Sequence, residues 1–317
     1  MPYVARRLAT TLLVLVLASL AIFALLRLAP GDPATILAGQ DATPAQVAAI
    51  RHELGLDRSL PAQYWQWLSG LLTGDPGSSY TFRQPISGLL VQRAGPTVQL
   101  TLTATVVMVV LGLVLGVAAA GSRSRTVRNL VDAVSTAALS TPPFVSSIVM
   151  IFVLAVTLRL LPAGGQAGLF SDPAIGIQYV IMPAVAVALP GSAVIARLLA
   201  TEMRRAHREE FARTAKAKGA SRRRVLLRHV LPNSIGPAVV ELGIRIGDLF
   251  AGAVVVEAIF ARSGIGSLLV SAVQGRDYLL AQDILLASVA FAAAMQLLTE
   301  LSMARVDRRI DLQEAIP

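Results

Sequence analysis

Six mostly apolar stretches, each near or above the length needed to cross a bilayer, constrain this chain more than anything else in it. A spanning helix needs about 20 such residues. The stretches run from Leu8 to Leu28, Val98 to Ala120, Leu130 to Leu158, Tyr179 to Leu199, Ile235 to Phe260 and Ile284 to Met303. In lipid a helix satisfies its own backbone, so the expected fold is an all-α integral membrane protein with six transmembrane helices. Composition agrees, with 55% of the 317 residues hydrophobic and 15% charged, where soluble domains carry about 25% charged residues. The third stretch is long enough to be tilted or broken at Pro142-Pro143. The fifth is the least apolar, because it holds Glu241, Arg245, Asp248 and Glu257.

Cationic residues in the short connections set the orientation. Arg6 and Arg7, then Arg123, Arg125 and Arg128, then the ten basic residues from Arg204 to Arg228, then Arg305, Arg308 and Arg309 all fall on one side if there are six spans. The opposite connections hold mainly Arg159, Arg262 and Arg276. Both termini are therefore expected in the cytoplasm. The net charge of +9 fits this arrangement better than nucleic-acid binding. The first stretch is longer than a signal-peptide core and has no clear small-x-small cleavage site, so it reads as a retained anchor.

The expected organisation is an N-terminus and first span over 1–28, an extracellular insert over 29–96, a five-helix core over 97–303 and a cytoplasmic tail over 304–317. The insert opens with the turn signal Pro30-Gly-Asp-Pro33. Thr43-Pro44 reads as the start of a helix to about Leu54, with Gly55 at its C-terminal stop. A second helix, about Pro61 to Leu72, carries Tyr64, Trp65 and Trp67. The insert is either a helical cap with interfacial aromatics or a platform for an external partner.

Catalytic arrangements are missing. The chain has no cysteine, and its histidines at 52, 207 and 229 are scattered, so neither thiol chemistry nor a metal cluster is expected. It contains no GxxxxGK[ST] phosphate loop, no HExxH and no GxSxG. Gly264-Ile-Gly266 reads as a turn after the fifth span. A transport protein without catalysis or bound cofactor fits better than an enzyme.

The basic connection 201–232 carries a denser pattern. Thr201 to Lys218 lacks Gly and Pro and reads as helix, with Phe211, Ala215 and Lys218 on one face. Gly219 is expected to end it in a left-handed conformation. Ser221 then caps a second helix through Arg228, and Leu231-Pro232 turns the chain back toward the bilayer. Such a loop can serve topology or anionic lipid alone. The small residues Ala212, Ala215, Ala217, Gly219 and Ala220 at its bend favour close approach of another surface, and so a docking element. In the fifth span, Glu241, Arg245 and Asp248 share one face at i, i+4, i+7. They form either a self-neutralised cluster or the polar lining of a substrate path, and Glu257 is placed to face a vestibule.

These residues carry a resemblance over nearly the whole chain. Leu28-Ala-Pro-Gly-Asp-Pro33, Leu54-Gly-Leu-Asp57, Gln63-Tyr64, Trp67-Leu68, Gly74-Asp75, Arg213-Thr-Ala-Lys-Ala-Lys-Gly219, Leu227-Arg-His229, Glu257-Ala-Ile-Phe260, Arg276-Asp-Tyr278 and Asp307-Arg-Arg309 resemble, in order and spacing, the permease subunits of ATP-binding-cassette (ABC) importers for dipeptides, oligopeptides and nickel. The likeness is to the permease type with a large insert after its first span. The 201–232 segment is similar to that family's EAA loop, with its acid displaced to Glu210.

The resemblance implies a type I ABC importer permease fold in the bacterial inner membrane. It implies a second homologous permease subunit, two cytoplasmic ATPase subunits that carry the ATP and Mg, and an extracellular substrate-binding protein. On it, Glu210, Arg213, Thr214, Ala215, Lys218, Gly219 and Ala220 would couple to an ATPase. Glu241, Arg245, Asp248 and Glu257 would line the translocation path. Asp57, Tyr64, Trp67 and Asp277 would meet the binding protein. Di- or oligopeptides are the expected substrates, with nickel or glutathione-type compounds as the alternative within the family. An ion-gradient-driven secondary transporter is the alternative outside it.

Overall fold

A computed structural model describes residues 2–28, 31–39, 41–169 and 171–306. Asp307-Arg-Arg309, most of the 304–317 tail and Ala29-Pro30 of the first turn lie outside the described residues. In chain order the helices are α1 (Pro2–Leu28), α2 (Pro33–Ala38), α3 (Pro44–Glu53), α4 (Leu60–Thr73), α5 (Ile86–Gly121), α6 (Arg125–Ser140), α7 (Pro143–Met150), α8 (Pro173–Ala206), α9 (Glu210–Ala217), α10 (Arg222–Arg224), α11 (Leu231–Ile259), α12 (Ile265–Gln274) and α13 (Tyr278–Val306). Among the described residues there is no strand.

Helix starts follow local chemistry. Thr43 accepts from the Gln46 backbone N–H while Gln46 reaches back to the Thr43 backbone, a reciprocal cap in front of α3. Asp32, Ser124 and Asp172 cap α2, α6 and α8 in the same way, each with its side-chain oxygen on a first-turn N–H. Gly55 and Gly74 follow α3 and α4 in left-handed conformation, with φ +66° and +83°. Gly31 and Asp32 lead directly into α2, a short helix the sequence reading left out.

Among the described residues four helices are long and apolar enough to cross a membrane, namely α1 over Ala5–Leu28, α5, α8 and α13 over Tyr278–Glu300. The third apolar stretch is not one straight helix. It breaks at Pro142-Pro143 into α6 and a second piece of α7 plus a π-helical run, Ile151–Thr157, bent by 107° from it. Counted as one span it makes five. α11 has 29 residues, about 43 Å at 1.5 Å per residue. No run of 18 residues within it has fewer than three charged side chains, so hydropathy alone does not pick it out. Among the described residues the structure is all-helical, with four to five helices or helix pairs apolar enough to cross a membrane.

The chain divides into two packed units. The first comprises Met1–Thr97 with Arg262–Ala293 and the second Val98–Ala261 with Ala294–Pro317. In the second unit α8 is central. About two-thirds of its apolar stretch is buried, against 11% of that in α1, so α1 is the helix left to face lipid or a partner. Around α8, Leu100, Met108, Val180, Val187, Ile195, Leu249, Val256 and Phe260 form one apolar cluster. Small residues permit this packing. A Cβ on Gly112 of α5 would lie 2.7 Å from Ile195 Cγ2, and one on Gly116 would lie 3.0 Å from the Ala196 carbonyl. The Gly-x-x-x-Gly spacing thus lets α5 and α8 approach backbone to backbone. Gly243 of α11 leaves still less room against the Thr299 side chain of α13.

In the first unit, aromatics from α1 and α4 form the core. Phe23 lies edge-on to Tyr64 at 5.4 Å and stacked on Trp67 at 6.3 Å. Trp67 Nε1 donates to Asp283 at 2.7 Å. Asp277 caps α13 by accepting from the Leu280 N–H, and accepts from Ser79 Oγ at 2.5 Å and the Thr81 N–H at 3.0 Å. That gives Arg276-Asp-Tyr278 a structural reason, since one carboxylate both starts a helix and pins the loop after α4.

Candidate functional site

The 201–232 segment is a folded elbow. α8 ends at Ala206 and the chain bends over His207 to Glu209 before α9 begins, so the helix expected unbroken from Thr201 to Lys218 is interrupted. Burial is the reason. The bend lays Ala212, with Ala215 and Ala220 partly buried, on a base of Leu199, Met203, Ala206, Val225 and Val230. A large side chain at 212 would hold α9 off that base.

α9 ends as expected. Lys218 closes it, Gly219 adopts φ +78°, and the Gly219 and Ala220 N–H groups donate to the carbonyls of Lys216 and Ala215 at 2.9 and 3.1 Å. This is the paired hydrogen-bond stop that requires a left-handed residue. Ser221 Oγ then accepts from the Arg224 N–H at 3.4 Å. The next step differs from expectation. Leu231-Pro232 is not a turn, because α10 runs through a π-helical stretch, Val225–Val230, straight into α11. Pro232 lacks an N–H and crowds the carbonyl four residues back, and a widened turn ahead of it accommodates both.

The elbow's outward face is built from the remaining residues. Glu210, Arg213, Thr214, Lys218 and Gly219 are exposed, and Phe211 stands out among them at 38% exposure. Glu210 and Arg213 pair at 3.2 Å, and a pair this exposed contributes little to stability. A Cβ placed on Gly219 would meet nothing within 4 Å. Ala215, expected beside Phe211 and Lys218, leans instead toward the base. Beneath the elbow Lys216 Nζ donates to His207 Nε2 at 2.9 Å. Partial burial, then Lys216 and Arg222, hold the His207 pKa below the usual histidine range, so the imidazole is a neutral acceptor. Arg222 anchors the far side through the Gly121 carbonyl at 2.6 Å.

The charges of α11 form one cluster of three and one outlier. Arg245 reaches Glu241 at 2.6 Å and Asp248 at 2.8 Å. Their side chains keep 32%, 20% and 61% exposure, so Arg245 serves both carboxylates, leaving one negative charge in excess, and the cluster stays open along one edge. Glu257, expected to face a vestibule, is fully buried.

The four residues expected to meet an external partner separate. Asp57 is exposed and its carboxylate lies 2.6 Å from His52 Nδ1. That hydrogen bond holds the Asp57 pKa below the usual carboxylate range. Tyr64 is half-buried with its hydroxyl 2.8 Å from that of Ser19. Trp67 and Asp277 are buried and engaged as described above. In this chain both side chains are occupied in holding the first unit together. The sequence reading did not single out Trp65, the exposed aromatic of α4, or Phe211 as a docking group; Phe211 was detectable as a large apolar residue in an otherwise basic turn.

Comparison with known proteins agrees with this architecture. Residues 109–312 match the family model for the "binding-protein-dependent transport system inner membrane component", and residues 1–102 match the model for the N-terminal part of such membrane components. The chain is 36% identical over 308 residues to a protein of Sinorhizobium fredii named as a probable peptide ABC transporter permease, covering 97% of this chain and 98% of that one. It is 34% identical over 290 residues to the glutathione transport system permease protein GsiC of Salmonella typhimurium, covering 91% and 92%. With both models matched and whole-length relatives at this identity, the chain belongs to the family of binding-protein-dependent transport system inner membrane components, and it is a permease subunit of an ABC importer.

Proposed function

We propose that this permease imports di- or oligopeptides and that its 201–232 elbow is the coupling element for a cytoplasmic ATPase. The observation carrying the coupling role is the elbow's two-sidedness. One face is sealed onto α5, α8 and the start of α11, and the other presents Phe211, Arg213, Lys218 and an unobstructed Gly219. In this reading Glu210, Thr214 and Ala220 flank the contact. The chain is non-catalytic, and ATP and Mg bind on the two partner ATPase subunits. A second homologous permease completes the path, and an extracellular binding protein delivers substrate over the 29–96 insert.

The topology proposed with this function has six spans, with α11 as the fifth and the α6–α7 pair as a broken third. Both termini then face the cytoplasm of a bacterium whose inner membrane holds the complex. Glu241, Arg245 and Asp248 border the path, and ATPase closure acting through the elbow shifts the continuous α10–α11 rod that carries them. The names of the relatives favour a peptide cargo, with a glutathione-type tripeptide as a special case. The rival reading of an ion-gradient-driven transporter does not fit the family.

Uptake of a labelled tripeptide by cells expressing the chain with its partner subunits tests the cargo. Co-purification of the ATPases with wild type, and their loss with Gly219→Trp, tests the elbow. A Gly219→Trp complex that keeps its ATPases and imports normally would remove the coupling role.

A further inference from the structure

A cleft of the first unit has a volume of about 1020 Å³ and is lined by α1, α2, α3, α4, the loop after α4 and the start of α13. This volume lies at the upper end of the usual range for small-molecule sites, about 300–1,000 Å³. Two donors at its floor have no partner among the described residues. They are Arg27 Nη1 and Gln282 Nε2. Gln282 is 1% exposed, so its amide cannot turn to bulk water for a substitute. Leaving a buried donor unmet costs about 1–3 kcal/mol, and two at one floor call for an acceptor.

Arg27 is held for such a role. Its Nε donates to Gln63 Oε1 at 3.1 Å, and its guanidinium lies over the rings of Phe23 and Tyr278 at 4.8 and 5.1 Å. These contacts orient the group without neutralising it. Tyr80 lines the same cleft, and burial above all pushes its phenol up to about 12, so it stays a neutral hydroxyl.

The charges lining the cleft identify the ligand class. Arg27 and Arg83 are balanced by Glu53 and Asp75, so the lining is formally neutral but carries both signs. A simple anion would meet two carboxylates there. A short zwitterion would have its carboxylate taken by the floor donors and its ammonium by an acid.

We infer that this cleft binds a short peptide with free termini, with Arg27 and Gln282 receiving its C-terminal carboxylate. This rests on the peptide reading of the cargo and adds a second place on the permease where cargo is held. Both donor nitrogens are buried and belong to residues that line the cleft, so a ligand meets them when the two side chains turn toward it.

The test uses the full chain in phosphatidylcholine nanodiscs, titrated with trialanine and with its C-terminal amide. Trialanine is expected to bind at least about tenfold more tightly than the amide, the loss of a charged hydrogen bond. Arg27→Gln and Gln282→Leu are expected to bring the two ligands together. Equal binding of both ligands to wild type overturns the inference, and that comparison requires no variant to fold. So does a trialanine signal abolished by phosphatidylglycerol in the nanodisc and indifferent to the amide, which would assign the donors to a lipid headgroup. Uptake in cells separates the two levels. Wild-type cells that import no peptide defeat the cargo reading. Normal peptide uptake by wild type and by Arg27→Gln alike leaves that reading intact and defeats the cleft.

Discussion

Substituting Gly219 separates two costs that usually arrive together. Its φ of +78° is left-handed, where a residue with a Cβ loses about 1–2 kcal/mol. Space adds nothing, since a Cβ there meets no atom within 4 Å. In the isolated chain the cost is therefore paid by the backbone alone, and Gly219→Ala, →Leu and →Trp are expected to lose a similar, small amount of stability. Gly219→Asn loses least, because Asn tolerates this conformation. If an ATPase surface packs against the elbow, the series behaves differently in the complex. Each added volume then displaces the partner, and ATPase co-purification and uptake fall from Ala to Leu to Trp while the melting temperature of the permease stays level. A well-packed contact resists overfilling by about 1–3 kcal/mol, roughly five- to 140-fold in association at about 1.4 kcal/mol per decade. Thermal unfolding of the purified chain supplies one axis, and co-purification with tripeptide uptake the other. A series in which uptake tracks stability and ignores side-chain size would refute the docking argument, because backbone strain would then explain everything.

Phe211→Ala should leave the melting temperature within error and still weaken ATPase co-purification, since the ring is exposed and lies outside the elbow's apolar base; a stability loss without a coupling loss would place it in the fold instead. Arg245→Ala leaves Glu241 and Asp248 without their shared partner, and it should impair transport more than membrane insertion, with Glu241→Gln/Asp248→Asn added to it restoring part of the loss; full transport by the single variant returns the cluster to a structural role. The pKa of His207 is depressed from 6.5 by burial, Lys216 and Arg222, so the unfolded chain takes up that proton first as pH falls. The stability it contributes is present above 6.5 and lost below it, and hydrogen-exchange protection over 207–220, taken relative to the intrinsic rate at each pH, should fall below that pH in wild type more than in His207→Gln. Gly112→Ala puts a methyl group 2.7 Å from Ile195 Cγ2 and should destabilise the chain by about 1–3 kcal/mol, read as a lowered melting temperature in detergent.

Local punctuation was legible in the sequence where one residue type has one physical use. Gly219 and Gly55 were readable as left-handed stops and Thr43-Pro44 as a helix start, because those conformations and caps depend on immediate neighbours. The break at His207 was not legible. Nothing between Thr201 and Lys218 opposes helix locally, and the bend exists because Ala212 gains a buried seat on Leu199 and Met203. The burial of Trp67 was not legible for a related reason. An aromatic on a helix of the insert looks the same from the sequence whether it faces outward or inward. The partner that turns it inward, Asp283, lies 216 residues away.

The span count shows why hydropathy and topology disagree here. Hydropathy charges each ionisable residue separately, and so it passes over α11. Charge bias needs a span there to keep the 201–232 loop and the C-terminal arginines on one side. The geometry removes much of the conflict. Arg245 carries both neighbouring carboxylates on its own helix face, so the three groups enter as one paired unit with a net charge of one. Intramembrane charge is tolerated when it is paired and faces a bundle or a water-filled cavity. The helix that hydropathy passes over thus carries a paired, partly exposed polar edge, and it continues without a break from α10 and the elbow.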